Sequence, residues 1–139
     1  MENRAFVERY IYGTKKNEVK WESAPTYSLS HYNCDSIFIA KKEKGAVAVG
    51  RSQSTDNYGN PSEDNYYVFI LDSNQDLIFT IDKNNISDTD DDDFSQPSPD
   101  DMILLSRLYR LASRSAQKID VLLQQLVAGI SEPEDDLPF

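Results

Sequence analysis

The sequence predicts an α+β fold: an antiparallel sheet of about five to six strands, followed by one long C-terminal helix that dimerises the protein. Two observations carry that expectation. Up to Asp82 the apolar residues fall in short aromatic and β-branched runs punctuated by Gly, Pro, Asn and Ser, which is how strands and turns alternate. From Pro99 to Ala128 the apolar residues instead recur at steps of three and four, the period of a helix with one buried face. A length of 139 residues, 39% of them hydrophobic and eight of them Tyr, is enough for one core and too short for two. Residues 1–129 are therefore expected to form a single domain, with 84–97 an acidic connector before a helix over 99–128, and 130–139 an acidic tail.

The first strand is expected over Ala5–Tyr12, ending at Gly13 before the polar Thr14-Lys15-Lys16-Asn17. Val19–Glu22 is a short return strand holding Trp21, broken by Ala24-Pro25. Tyr27–Tyr32 alternates large and small side chains as a half-buried strand does, and Asn33–Ser36 turns the chain. Ser36–Lys41 and Ala46–Ser52 flank Lys42-Glu43-Lys44-Gly45, a hairpin loop with Gly45 at a position expected to need positive φ. Gln53–Asp64, rich in Ser, Asn, Asp, Gly and Pro, reads as an exposed functional loop. Tyr66–Asp72 and Leu77–Asp82 form a second hairpin whose nearly continuous apolar runs suit central strands covered on both faces.

Ser98-Pro99-Asp100-Asp101 is a helix start: an N-capping Ser, a Pro at the first helical position, and acids against the positive dipole end. Gly129 is expected to close the helix. Leu105, Leu108, Ala112, Ser115, Ile119, Leu122 and Leu126 make the apolar stripe. A rod of about 45 Å is longer than such a sheet can cover. The small residues Ala112 and Ser115 therefore suggest two rods crossing in a symmetric dimer, the alternative being a helix broken near Ser113–Ser115 over one sheet.

Composition narrows the chemistry. The net charge of -10 is concentrated in the tail and in Asp88–Asp93, leaving a body close to neutral. Asp88–Asp93 lacks the Gly and Glu spacing of a calcium loop, so no metal site and no cofactor is expected. The single Cys34 fits a reducing cytoplasm and a small buried hydrophobe. With one His, His31, and no phosphate-binding, nucleophile-elbow or zinc motif, an enzyme is not expected. No signal-like or membrane-length apolar run is present, so the protein reads as cytoplasmic with no membrane partner.

The chain closes with Glu134-Asp135-Asp136-Leu137-Pro138-Phe139. A terminal Phe offers a ring and an α-carboxylate on one residue, so a pocket with an apolar floor and a basic rim can hold both. Pro138 reduces the entropy lost on docking, and the acids steer toward a basic surface. Asp135-Asp136-Leu137-Pro138-Phe139 resembles the acidic tip of bacterial single-stranded-DNA-binding proteins. The resemblance implies that these five residues recruit replication, recombination and repair enzymes. It covers the tail alone, because the long Gly-, Gln- and Pro-rich linker and the strand order of that family are missing. The alternative is a solvated acidic terminus.

One stripe on the C-terminal helix is basic: Arg107, Arg110, Arg114 and Lys118. With Lys15, Lys16, Lys20, Lys41, Lys42, Lys44 and Arg51 it is a candidate phosphate-tracking surface, with Trp21 and Tyr58 the favoured stacking platforms for unpaired bases among the tyrosines Tyr10, Tyr12, Tyr27, Tyr32, Tyr66 and Tyr67. Equally, the stripe can be a solvated face and the aromatics a sheet core. A sheet followed by a dimerising helix is also broadly similar to the PC4 and Whirly single-strand binders. Two functions follow as expectations. One is a phage- or mobile-element-type single-stranded-DNA-binding protein that recruits processing enzymes through its tip. The other is an adaptor or inhibitor that binds no nucleic acid and presents the tip to redirect or block host enzymes.

Overall fold

The computed structural model describes residues 1–24, 34–55, 57–87 and 99–132. The expected strand over Tyr27–Tyr32, most of the acidic connector, and the tip Asp135–Phe139 lie outside them. Five strands, β1 (Glu22–Ala24), β2 (Ser36–Lys42), β3 (Gly45–Thr55), β4 (Pro61–Asp72) and β5 (Leu77–Ile81), form one sheet in sequential order. Every neighbouring pair is antiparallel. Helices α1 (Asn3–Lys15) and α2 (Pro99–Ala116) pack on one face of it, and α3 (Ile119–Leu126) follows α2. No helix is long and apolar enough to cross a membrane among the described residues.

The expected first strand is a helix. Its run of aromatic and β-branched residues suits a strand locally, but Val7, Ile11 and Thr14 are buried at steps of four and three, with Phe6 and Tyr10 packed beside them. That spacing places all five on one helical face, and burial against α2 and the sheet outweighs a propensity difference of well under ~1 kcal/mol per residue. Asn17, at φ 60°, turns the chain out of the helix. Gly13 accepts the amides of Glu18 at 2.8 Å and Val19 at 3.3 Å there.

Both hairpins form where expected, with corrections of detail. Gly45 is not at a positive φ; it begins β3, where a Cβ would come within 2.6 Å of the Leu71 carbonyl oxygen. Its lack of a side chain allows β3 and β4 to approach. The expected loop at 53–64 is mostly sheet, since Gln53 pairs with Asp64 and Ser54 with Glu63. Polar composition marked that stretch as loop, yet a two-stranded extension beyond the core needs no apolar side chains to satisfy its backbone.

β4 is covered on both faces, Val68 facing the helices and Phe69 the opposite side. β5 is instead an edge strand with Leu77, Ile78 and Phe79 exposed. The helix side of the core joins Phe38, Val49, Val68 and Ile81 to Val7, Trp21, Leu105 and Leu108. The other side buries Ile37, Ile39, Ala48, Phe69 and Leu71.

The start of the expected connector is held. Ile86 is fully buried. Asn85 accepts the Asp82 amide at 2.8 Å and donates to the Thr80 carbonyl at 2.7 Å. Buried Asp101 receives the Ser87 hydroxyl and the Arg4 guanidinium, the latter at 2.7 Å. Asp101 of the first turn thus serves α1 and this turn rather than the basic stripe.

The long helix is two helices. α2 stops at Ala116, Lys118 adopts a left-handed conformation at φ 54°, and α3 then runs to Leu126 and is capped at Val127, short of the expected end at Ala128, with Gly129 at φ 85° two residues beyond the cap. This corrects the expected dimer stripe. Leu105, Leu108 and Ala112 are buried within one chain, and Ser115 accepts the Trp21 amide at 3.5 Å. Two copies therefore cannot cross at Ala112 and Ser115 without unpacking α1. Ile119, Leu122 and Leu126 lie beyond the break, the last two exposed.

Candidate nucleic-acid interface

Trp21 is the joint that builds the candidate site. Its indole N–H donates to Thr14 Oγ1 at 3.0 Å, and Thr14 in turn donates to the Tyr10 carbonyl at 2.7 Å. With the amide contact to Ser115, these bonds draw the C-terminal ends of α1 and α2 to the start of β1. The flanking residues are thereby gathered: Lys15 and Lys16 follow Thr14, Lys20 precedes Trp21, and Arg114 and Lys118 bracket Ser115. A cleft of about 290 Å³ between the two helices is lined by Thr14, Lys15, Asn17, Leu111, Arg114 and Ser115. Cations there also suit the negative ends of two helix dipoles.

β2 brings three more cations. Glu22 pairs with Ile39, and continuing that antiparallel register leads from Lys20 toward Lys41. Lys42 and Lys44 flank the tight β2–β3 turn that follows. Lys15, Lys16, Lys20, Lys41, Lys42, Lys44, Arg114 and Lys118 are thus exposed at one end of the molecule, interleaved with the exposed Glu18, Glu22 and Glu43. Tyr12 is 58% exposed beside them, with Lys16 Nζ 4.6 Å from its ring centre. An aromatic face within a cationic surface is what stacking on an unpaired base requires.

Other expected site residues are not brought there. Trp21 is core, 4% exposed and edge-on to Tyr10, which overturns its expected role as a stacking platform. Tyr58 is exposed, but in the β3–β4 turn at the opposite end of the sheet. Arg51 also belongs to that end, paired in register with Ser36 and 3.6 Å from Asp35. Arg107 and Arg110 are exposed farther up α2, Arg110 lining a separate cleft with Asp64 and Tyr66. Tyr66 packs on Tyr109 and Tyr67 on Phe69. Burial raises the Tyr10 phenol pKa.

Arg9 is a site candidate that sequence reasoning missed. It is exposed on α1 and stands three residues before Tyr12, with Lys16 four beyond, so the three share one helical stripe. The signal was present in that spacing and was hidden by the strand assignment.

No group of His, Cys, Asp and Glu among the described residues could hold a metal ion. Cys34 is buried, and desolvation, with the Asp35 charge as a second cause, pushes its thiol up to about 11. At pH 8 almost none of it is thiolate, the reactive form. Alkylation of the folded protein by iodoacetamide at that pH should therefore be slow and rise sharply on adding denaturant; rapid labelling without denaturant would contradict the buried environment.

Comparisons with protein-family models, curated proteins and solved structures return no match.

Proposed function

We propose that the chain binds single-stranded DNA through its basic end and recruits DNA-processing enzymes through the tip Asp135-Asp136-Leu137-Pro138-Phe139. Eight exposed cations toward one end of the fold, with the exposed Tyr12 ring beside Lys16, in a chain whose net charge is -10, support the first half. Lys15, Lys16, Lys20, Arg114 and Lys118 would track phosphates across the ends of α1 and α2. Lys41, Lys42 and Lys44 would extend the path along the β2–β3 turn, and Tyr12 would stack on a base. The reading is a binding function without catalysis. Recruitment rests on the resemblance of the tip to that of bacterial single-stranded-DNA-binding proteins.

Retention of the protein lacking residues 130–139 on oligo(dT), measured against salt, tests the DNA half. Affinity should fall steeply as salt rises, by a log–log slope near -0.7 for each phosphate neutralised. Lys15→Glu with Arg114→Glu should reduce both the affinity and that slope. Tyr12→Ala should weaken binding by about 1–3 kcal/mol, whereas Arg51→Glu, at the far end, should leave it unchanged. Absence of retention even at low salt would leave the other reading, an adaptor that carries the tip alone.

A further inference from the structure

The break at Lys118 leaves α3 projecting with an uncovered apolar face. Ile119, Leu122, Leu123 and Leu126 recur at steps of one, three and four, which places them in one arc of the helix surface, and the apolar Val127 and Ile130 follow at the C-cap and just past the left-handed Gly129. Gln124 and Gln125 lie outside that arc. Leu126 is 65% and Ile130 69% exposed, and Leu122 and Leu123 are each 48% exposed. A continuous apolar arc of this kind in water marks a surface that another molecule covers.

We infer that α3 pairs with α3 of a second copy of this chain, antiparallel about a twofold axis. Charge complementarity selects both the occupant and the direction. On the N-terminal side of the arc stand the exposed cations Arg114 and Lys118; on its C-terminal side stand the exposed Glu132 and, in sequence, Glu134, Asp135 and Asp136. A parallel pair would set like charges beside each other. An antiparallel pair centred between Gln124 and Gln125 lays Leu122 near Val127 of the second copy and Leu123 near Leu126, and it sets the Lys118 end of each helix beside the end that Glu132 follows. The apolar arcs meet, and the end of each helix that follows Arg114 and Lys118 meets the acidic end of the other, with Asp120, in sequence, the one acid at the basic end. The acids also disfavour an anionic membrane surface as the occupant. The dimer does not depend on DNA binding. It would join two tips in one assembly, so both could engage one multi-site partner.

The mass of the full chain in solution tests the pairing. At about 100 µM the wild type should sediment as two chains. Leu122→Glu with Leu126→Glu, both at exposed positions, should sediment as one chain with unchanged circular dichroism, and its thermal midpoint should no longer rise with protein concentration as that of the wild type does. Lys118→Glu alone and Glu132→Lys alone should each raise the dissociation constant several-fold, and the double swap should restore it. A wild type that sediments as one chain would overturn the proposal. So would an unaltered dimer in the double Glu variant, or retention on vesicles of anionic lipid that depends on Leu122 and Leu126. Oligo(dT) retention by the double Glu variant, read separately, distinguishes failure of the dimer from failure of DNA binding.

Discussion

Trp21→Ala is expected to cost about 3–5 kcal/mol of stability, a large share of the roughly 5–15 kcal/mol that holds a domain together. The ring is 4% exposed, lies against Tyr10 at 6.1 Å between centroids, and donates to Thr14. Truncation opens a cavity at the meeting of α1, β1 and α2, and it removes the donor to a hydroxyl that is itself buried. Urea titration followed by far-ultraviolet circular dichroism should show a lower midpoint with an unchanged slope. Trp21→Phe, which keeps an aromatic ring but loses the indole N–H, should lose less than the alanine variant. As the sole tryptophan, Trp21 also reports on itself: native emission should be blue-shifted and move red on unfolding. A loss under about 1 kcal/mol, or solvent-like native emission, would return Trp21 to the surface and dismantle the joint that gathers the basic end.

Deleting Phe139, or adding one residue after it, is expected to abolish recruitment. The argument is chemical. The ring and the α-carboxylate are on the same residue, so deletion removes the anchor, and extension keeps the ring while replacing the carboxylate by an amide that pairs poorly with a basic rim. Asp135→Ala and Asp136→Ala act through longer-range attraction, so each should weaken association modestly, most visibly at low salt. Enzymes that bind the tip of bacterial single-stranded-DNA-binding proteins supply the partner for the measurement. The intact chain should retain them, a synthetic peptide covering Glu134–Phe139 should displace them, and the deleted and extended chains should retain nothing. Full binding by the extended chain would show that the terminal carboxylate has no part in recruitment. Neither variant alters the described body, so oligonucleotide retention should persist in both.

The two readings differ in where their information lies. The hairpins β2–β3 and β4–β5 were legible because strand pairing over a short turn is local: turn chemistry and apolar runs both lie within a few residues. The start at Pro99 and the left-handed conformation of Gly129 were legible for the same reason, though the helix itself is capped earlier, at Val127. At α1 two local signals disagreed, β propensity and helical spacing, and only burial against α2 resolved them. The helix break falls close to the alternative expected near Ser113–Ser115, but its position at Lys118 was not legible, since neither Gln117 nor Lys118 is Gly or Pro and the apolar stripe continues across them.

Sequence alone determined the charge balance, the single unpaired cysteine and the chemistry of the terminal residues, because these follow from residue type and adjacency. Tertiary structure decided which cations share a surface. Lys15, Lys20, Lys41 and Arg114 are distant along the chain; the hydrogen bonds of one buried tryptophan bring Lys15 and Arg114 to one cleft, and the register of one strand pair directs Lys20 and Lys41 toward the same end. It also separated Trp21 from Tyr12, sending one aromatic into the core and leaving the other beside Lys16. Side chains so similar in kind are sorted only by the free energy of burying them against particular neighbours, and those neighbours exist only once the chain has folded.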